Sequence, residues 1–221
     1  IAKVGRHKHS PLRDIIESQS PGRASGNEII AIGASTGGTE ATFSILKELG
    51  ATLPGIVVVQ HMPPVFTRLY AERLNNTCAM EVKEAADGDA VKPGRVLIAP
   101  GGLHMTVVRR GGGLSVQCRE GEKVSGHCPS VDELFLSISR LKGLTGLGVL
   151  LTGMGSDGAK GLLEMKKAGV HTVGQDKQTC VVYGMPAVAA RIGAVDRELP
   201  LTDIARHICE WYDGVSRGRK K

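Results

Sequence analysis

Four short apolar runs constrain this chain more than any other feature: residues 29–32, 56–59, 96–99 and 147–151 are continuous, rich in β-branched side chains, and end in small or turn-forming residues. A run without polar alternation belongs to a strand covered on both faces, which is the situation of a parallel sheet. Between and after these runs the pattern changes to helical spacing over 37–49, 64–74, 130–141, 156–168 and 186–192. Pro64 suits a first helical turn, and Ser130 with Glu133 three residues on has the capping-box spacing. Alternating β and α segments with short connections predict an α/β fold: a doubly wound, mainly parallel sheet with helices on both faces. The exception is 105–118, where two alternating runs flank Arg110-Gly111-Gly112-Gly113, a hairpin signal. An antiparallel hairpin insertion is therefore expected after the third central strand.

The 221 residues hold one sizeable core, because a second full domain would be cramped at this length. Residues 1–27 lack an amphipathic period, and 18–26 are rich in Ser, Pro, Gly and Arg. They read as an interdomain linker, 28–215 as the folded domain and 216–221 as a basic tail. The chain opens on Ile1 rather than Met and is expected to be a fragment or a processed product. The formal charge of +6 is not a binding face. Residues 1–25 carry five basic and two acidic side chains and 216–221 carry four basic ones, which leaves 19 basic against 20 acidic between them. With seven aromatic residues in all, a base-stacking platform is not expected, and nucleic acid is excluded as a partner. No run approaches the roughly 18–20 apolar residues of a membrane span, so no membrane insertion is expected. Cys78, Cys118, Cys128, Cys180 and Cys209 are odd in number and contain no Cys-x-x-Cys pair, which argues against a disulfide framework and fits a reducing cytoplasm.

In open α/β sheets reactive groups gather where strands end and helices begin. The first strand runs into Gly33-Ala34-Ser35-Thr36-Gly37-Gly38, a serine on a small-residue turn with the Gly-x-Ser-x-Gly spacing of a nucleophile elbow. The same turn suits a phosphate cradle or a tight packing turn. It lacks the lysine of a Walker loop, however, and the next strand ends in Gln60-His61 instead of the acidic residue of a dinucleotide site. His61 follows the second strand directly, so it falls at the same sheet edge as Ser35 and is the general base a serine hydroxyl requires. A carboxylate should orient the imidazole. Asp157 is the candidate, in the loop Thr152-Gly153-Met154-Gly155-Ser156-Asp157-Gly158 after the fourth run, with capping of the helix that follows as its competing role. Asp176 is the alternative acid, Asp87 and Asp89 read as turn residues, and Asp132 falls in a helix's first turn. His104 lies after the third strand, either lining the cleft or holding the hairpin. His127, His171 and His207 show no partner pattern. No His-x-x-x-His or Glu-rich cluster occurs, so neither a metal nor a cofactor is expected.

These residues resemble the catalytic domain of the chemotaxis protein-glutamate methylesterases, the CheB type. The resemblance rests on Ile-Ala-Ile-Gly-Ala-Ser-Thr-Gly-Gly-Thr-Glu-Ala from 30, Val-Val-Gln-His-Met-Pro-Pro from 58, Ala-Pro-Gly-Gly from 99, Leu-Leu-Thr-Gly-Met-Gly-Ser-Asp-Gly-Ala from 150 and Tyr-Gly-Met-Pro from 183. It implies Ser35 as nucleophile, His61 as base and Asp157 as its orienting carboxylate, with the Met154 amide joining that of Thr36 in an oxyanion hole. It implies a protein substrate, the methylated cytoplasmic domain of a chemoreceptor, whose glutamate γ-methyl esters are hydrolysed with release of methanol and whose glutamines are deamidated. It also implies an upstream regulatory receiver domain, absent from this chain.

Overall fold

The computed structural model describes residues 26–218, so most of the stretch read as a linker lies outside the described residues. Strand β1 (Glu28–Ala34) is buried along its whole length and lies at the centre of a seven-stranded sheet. Its neighbours are β2 (Gly55–Gln60) on one side and β8 (Thr145–Leu150) on the other, both parallel to it. Beyond β2 lie β5 (Arg95–Ile98) and β3 (Glu81–Glu84), and beyond β8 lie β9 (His171–Gln175) and β10 (Arg197–Leu199), giving the order β10-β9-β8-β1-β2-β5-β3. All pairings in this sheet are parallel.

The continuous apolar runs serve two cores at once. Ile30 and Ile32 of β1 face one cluster, with Ile45 and Leu46 of α1 (Gly38–Leu46), Tyr70 and Leu74 of α2 (Phe66–Asn75), and Ile204 and Ile208 of α6 (Leu201–Gly218). Ile29 and Ala31 face the other, with Phe135 of α3 (Val131–Ser139), Leu162 and Met165 of α4 (Ala159–Lys167), and Ala189 of α5 (Met185–Arg191). Helices cover both faces, as the sequence predicts.

The hairpin is also where it was expected. β6 (His104–Arg110) pairs antiparallel with β7 (Gly113–Arg119) around Gly111 and Gly112, both at positive φ, and β4 (Ala90–Val91) completes a separate three-stranded sheet.

Two expectations are corrected. Pro64 does not open its helix, which starts at Phe66 after Val65 at φ 74. The boundary drawn at 215 falls inside α6, whose buried Ile204, Ala205, Ile208 and Tyr212 form a narrow apolar stripe and which continues to Gly218. The edge strands β3 and β10 were not foreseen, because only Val82 of β3 and no residue of β10 is fully buried, so neither has an apolar run to read.

Candidate active site

The sheet reverses its direction of growth beside β1: the chain proceeds from β1 outward through β2, then returns to lay β8 on the opposite side. The carboxyl ends of β1 and β8 flank that switch point, which is where open α/β sheets bind ligands. Ser35 is the residue after β1, His61 the residue after β2, and Asp157 lies in the loop after β8. Three of the predicted residues therefore meet at one rim of the sheet.

The His61–Asp157 contact is direct. Nε2 of His61 lies 2.7 Å from Oδ2 of Asp157, with the two side chains 6% and 1% exposed. Because a carboxylate only accepts, Nε2 carries the proton and Nδ1 holds the lone pair. Nδ1 is buried and has no hydrogen-bond partner in the protein. Ser35 and His61 line one open cleft of about 660 Å³, together with Pro63, Pro64, Lys123 and His127. The Ser35 hydroxyl makes no hydrogen bond to the imidazole. Such contacts are often long before substrate binds.

Asp157 does more than orient His61. Its Oδ1 accepts from the Ser130 hydroxyl at 2.8 Å and the Asp132 amide at 3.0 Å, and its Oδ2 also accepts from the Val131 amide at 2.8 Å. The carboxylate thus caps α3, a helix that precedes it in sequence, rather than α4, whose N-cap is Gly158 in the left-handed region without a side-chain cap. Two otherwise orphaned helix amides and the positive end of the helix dipole face a buried anion. Burial pushes the Asp157 carboxyl up, but the hydrogen bonds from His61, Asp132, Val131 and Ser130 outweigh it and hold the group below the ordinary aspartate range. It is an anion at neutral pH.

The serine turn is clamped by close backbone contact. The Ser35 amide donates to Thr152 O at 3.0 Å, Gln60 Nε2 donates to Ser35 O at 2.9 Å, and Thr152 Oγ1 donates to Thr36 O at 3.0 Å. Gly153 fits because it has no side chain: a Cβ there would lie 2.3 Å from Met185 Sδ and 2.7 Å from Ser35 Cβ. The Gly184 and Met185 amides both donate to Gly153 O, which ties the 152–155 loop to α5 and gives the Tyr183-Gly184-Met185-Pro186 run its structural purpose. Among the described residues, the amides of Thr36 and Met154 are engaged by no other group, and both residues are exposed at the rim.

The remaining sequence candidates resolve as supports. His104 does not line the cleft opening: its Nδ1 accepts from the Ser130 amide at 3.2 Å and its Nε2 donates to Glu122 O at 2.8 Å, so it fixes the residue that holds Asp157. Asp132 accepts from the Gly161 amide at 2.7 Å and joins α3 to α4, and burial raises its carboxyl's affinity for protons. Asp176 closes its own turn through Thr179, and Asp87 and Asp89 accept amides of neighbouring loops and strands. Sequence reasoning missed Ser130 as a partner of Asp157, since its N-cap role already explained it; of the capping box only the Glu133 amide to Ser130 Oγ bond is present, at 3.4 Å, because the Ser130 amide donates to His104. It also missed His127, whose ring stacks on His61 with centroids 3.6 Å apart.

The description of CheB methylesterases matches residues 30–208. The chain belongs to that family. It is 53% identical over 207 residues to a protein-glutamate methylesterase/protein-glutamine glutaminase of Syntrophomonas wolfei, an alignment covering 93% of this chain and 60% of the relative. A protein of the same name from Syntrophotalea carbinolica is 55% identical over 84% of this chain and 53% of its own length. The chain therefore spans little more than half the length of these CheB-family relatives. The crystal structure of the Thermotoga maritima CheB methylesterase catalytic domain superposes with a TM-score of 0.80 at 40% identity, covering 85% of this chain and 99% of that one. Among the described residues no helix is long and apolar enough to cross a membrane.

Proposed function

We propose that this chain is a serine hydrolase acting on glutamate γ-methyl esters of chemoreceptor cytoplasmic helices, and on receptor glutamine side chains, with Ser35 as nucleophile, His61 as base and Asp157 as orienting anion. The observation that carries the reading is the 2.7 Å contact between His61 Nε2 and a buried Asp157, at the rim where Ser35 enters the same cleft. The relatives' names support the substrate class, and the cleft supports a macromolecular substrate. It is open, and Val65 and Phe66, just after the cleft-lining Pro64, and Met154, in the loop that carries Asp157, expose apolar side chains.

The mechanism follows from the tautomer. Nδ1 of His61 takes the Ser35 proton as Oγ attacks the ester carbonyl, and the resulting imidazolium faces the Asp157 carboxylate through Nε2. In this reading the two open amides, Thr36 and Met154, receive the tetrahedral oxyanion, and one such donor is typically worth about 3–4 kcal/mol of barrier. The imidazolium then gives its proton to methanol, or to ammonia from glutamine, and water releases the acyl-enzyme by the reverse path. The product is a carboxylate on the receptor helix. No step calls for a metal or an organic cofactor.

The esterase unit in this proposal runs from β1 through α6, residues 28–218, and an upstream receiver domain would govern access to the cleft. Methanol release from methylated receptor tests the reading. The parent chain is expected to turn over, and Ser35→Ala to lose turnover with an unchanged denaturation curve. Turnover retained in Ser35→Ala would remove the nucleophile assignment.

A further inference from the structure

His127 lies outside the triad and has a role the mechanism has not used. It sits on the segment between β7 and α3, where Val124 and His127 exchange both backbone hydrogen bonds, at 3.0 and 2.9 Å. The two residues between them, Ser125 and Gly126, have φ 53 and 84, which makes a primed two-residue turn of fixed geometry. This rigid turn lays the His127 ring flat on His61, with centroids 3.6 Å apart and planes 11° from parallel. Three residues on, the same segment reaches Ser130, Val131 and Asp132, all of which donate to Asp157. One stretch of six residues therefore grips the base by its face and the orienting carboxylate by its oxygens.

We infer that His127 is a positioning residue: an uncharged imidazole platform that fixes the ring plane of His61, and whose protonation switches the base off. The first half follows from geometry. An imidazole held by a single Nε2–H···Oδ2 bond can swing about that bond, which changes where Nδ1 points. A flat ring at van der Waals distance removes that freedom, and a misplacement of about 1 Å in such a group costs on the order of 100-fold in rate.

The second half follows from charge. When His61 accepts the serine proton it becomes a cation, and a second cation 3.6 Å from its face opposes that step. The groups that act on the charge of His127 are few. His61, after β2, and Lys123, on its own turn, disfavour protonation, while Asp157, in the β8–α4 loop, favours it. Burial comes first and, with His61 and Lys123, holds the His127 ring below the ordinary histidine range, so the platform is neutral at neutral pH.

This inference rests on the serine-esterase reading, and the experiment keeps the two apart. Methanol release from methylated receptor is measured from pH 5 to 9 for the parent, Ser35→Ala, His127→Ala and His127→Phe. Loss of activity in Ser35→Ala establishes the reading; its retention overturns that reading whatever His127 does. On that footing His127→Ala, with no platform, should lower kcat about ten-fold or more at pH 8 while KM changes less than two-fold. His127→Phe, flat and without an ionisable group, should recover most of that kcat and retain activity at acid pH values where the parent has lost it. The inference is overturned if His127→Ala matches the parent at every pH, if His127→Phe is as impaired as His127→Ala at pH 8, or if the acid limbs of His127→Phe and the parent coincide.

Discussion

Replacing Asp157 by asparagine separates the chemistry of the carboxylate from its packing, because the two side chains are nearly isosteric and differ in charge and in one donor group. Four donors converge on the two oxygens of Asp157: the Ser130 hydroxyl and Asp132 amide on one, the Val131 amide and His61 Nε2 on the other. An asparagine amide must place its NH2 against one of these pairs. If it faces Ser130 and Asp132, the hydroxyl can turn to accept, but the Asp132 amide is left buried without an acceptor, at a cost of about 1–3 kcal/mol. If it faces Val131 and His61, the imidazole is driven to the opposite tautomer, with the proton on Nδ1, the nitrogen that must receive the serine proton. A wrong-tautomer triad loses about 10⁴ in kcat, or about 5 kcal/mol of barrier at 1.36 kcal/mol per decade. In either orientation the anion that faces the α3 terminus is gone, which removes about 0.3–1 kcal/mol more. The assay pairs steady-state methanol release with urea denaturation. Asp157→Asn should lose three to four decades of kcat and roughly 1–4 kcal/mol of stability. A variant within ten-fold of the parent in kcat would refute the tautomer argument, and one with unchanged stability would refute the claim that the buried α3 amides depend on the carboxylate.

Gly153→Ala brings a methyl group to 2.3 Å from Met185 Sδ and 2.7 Å from Ser35 Cβ. It should cost about 1–3 kcal/mol and reduce kcat ten-fold or more by displacing the serine turn, read by denaturation and turnover together. His171 and His207 meet through Nε2 atoms 2.9 Å apart, and burial is the main cause holding both below the ordinary histidine range, with Asp196 opposing it at His171. Since the unfolded chain binds these protons first, stability should fall as pH drops below about 6.5, and His171→Gln with His207→Gln should flatten that fall in a pH series of urea midpoints. The Asp157 carboxyl, held low, contributes in the opposite part of the scale: its stabilisation is complete above the unfolded aspartate value near 3.9 and is lost as pH falls through the lower folded value, a slope Asp157→Asn should lack.

What could be read from the chain divides along the range of the interactions. The run Ile29-Ile30-Ala31-Ile32 announces a doubly covered strand because burial on both faces leaves no polar position in it. Ser35, His61 and Asp157 are legible because each directly follows, or lies in the loop after, such a run, and a parallel sheet forces those ends to one side. The roles of Ser130 and His127 were not legible: each acts on a residue 27 or 66 positions away, across a packing that no local spacing records. Asp157 shows the same limit, since the sequence offers it as a cap for the helix after it and the structure gives the cap to the helix before it. The purpose of Gly153 is likewise visible only once Met185 and Ser35 are seen against it.

The central claim is that Ser35 is made nucleophilic by a histidine whose Nδ1 has no other hydrogen-bond partner in the protein. Labelling with a fluorophosphonate, followed by peptide mapping, measures this most directly. The account expects one adduct, on Ser35, formed in the parent and suppressed at least 100-fold in rate in His61→Gln. An adduct on another residue, or equal labelling rates in the two proteins, would contradict it.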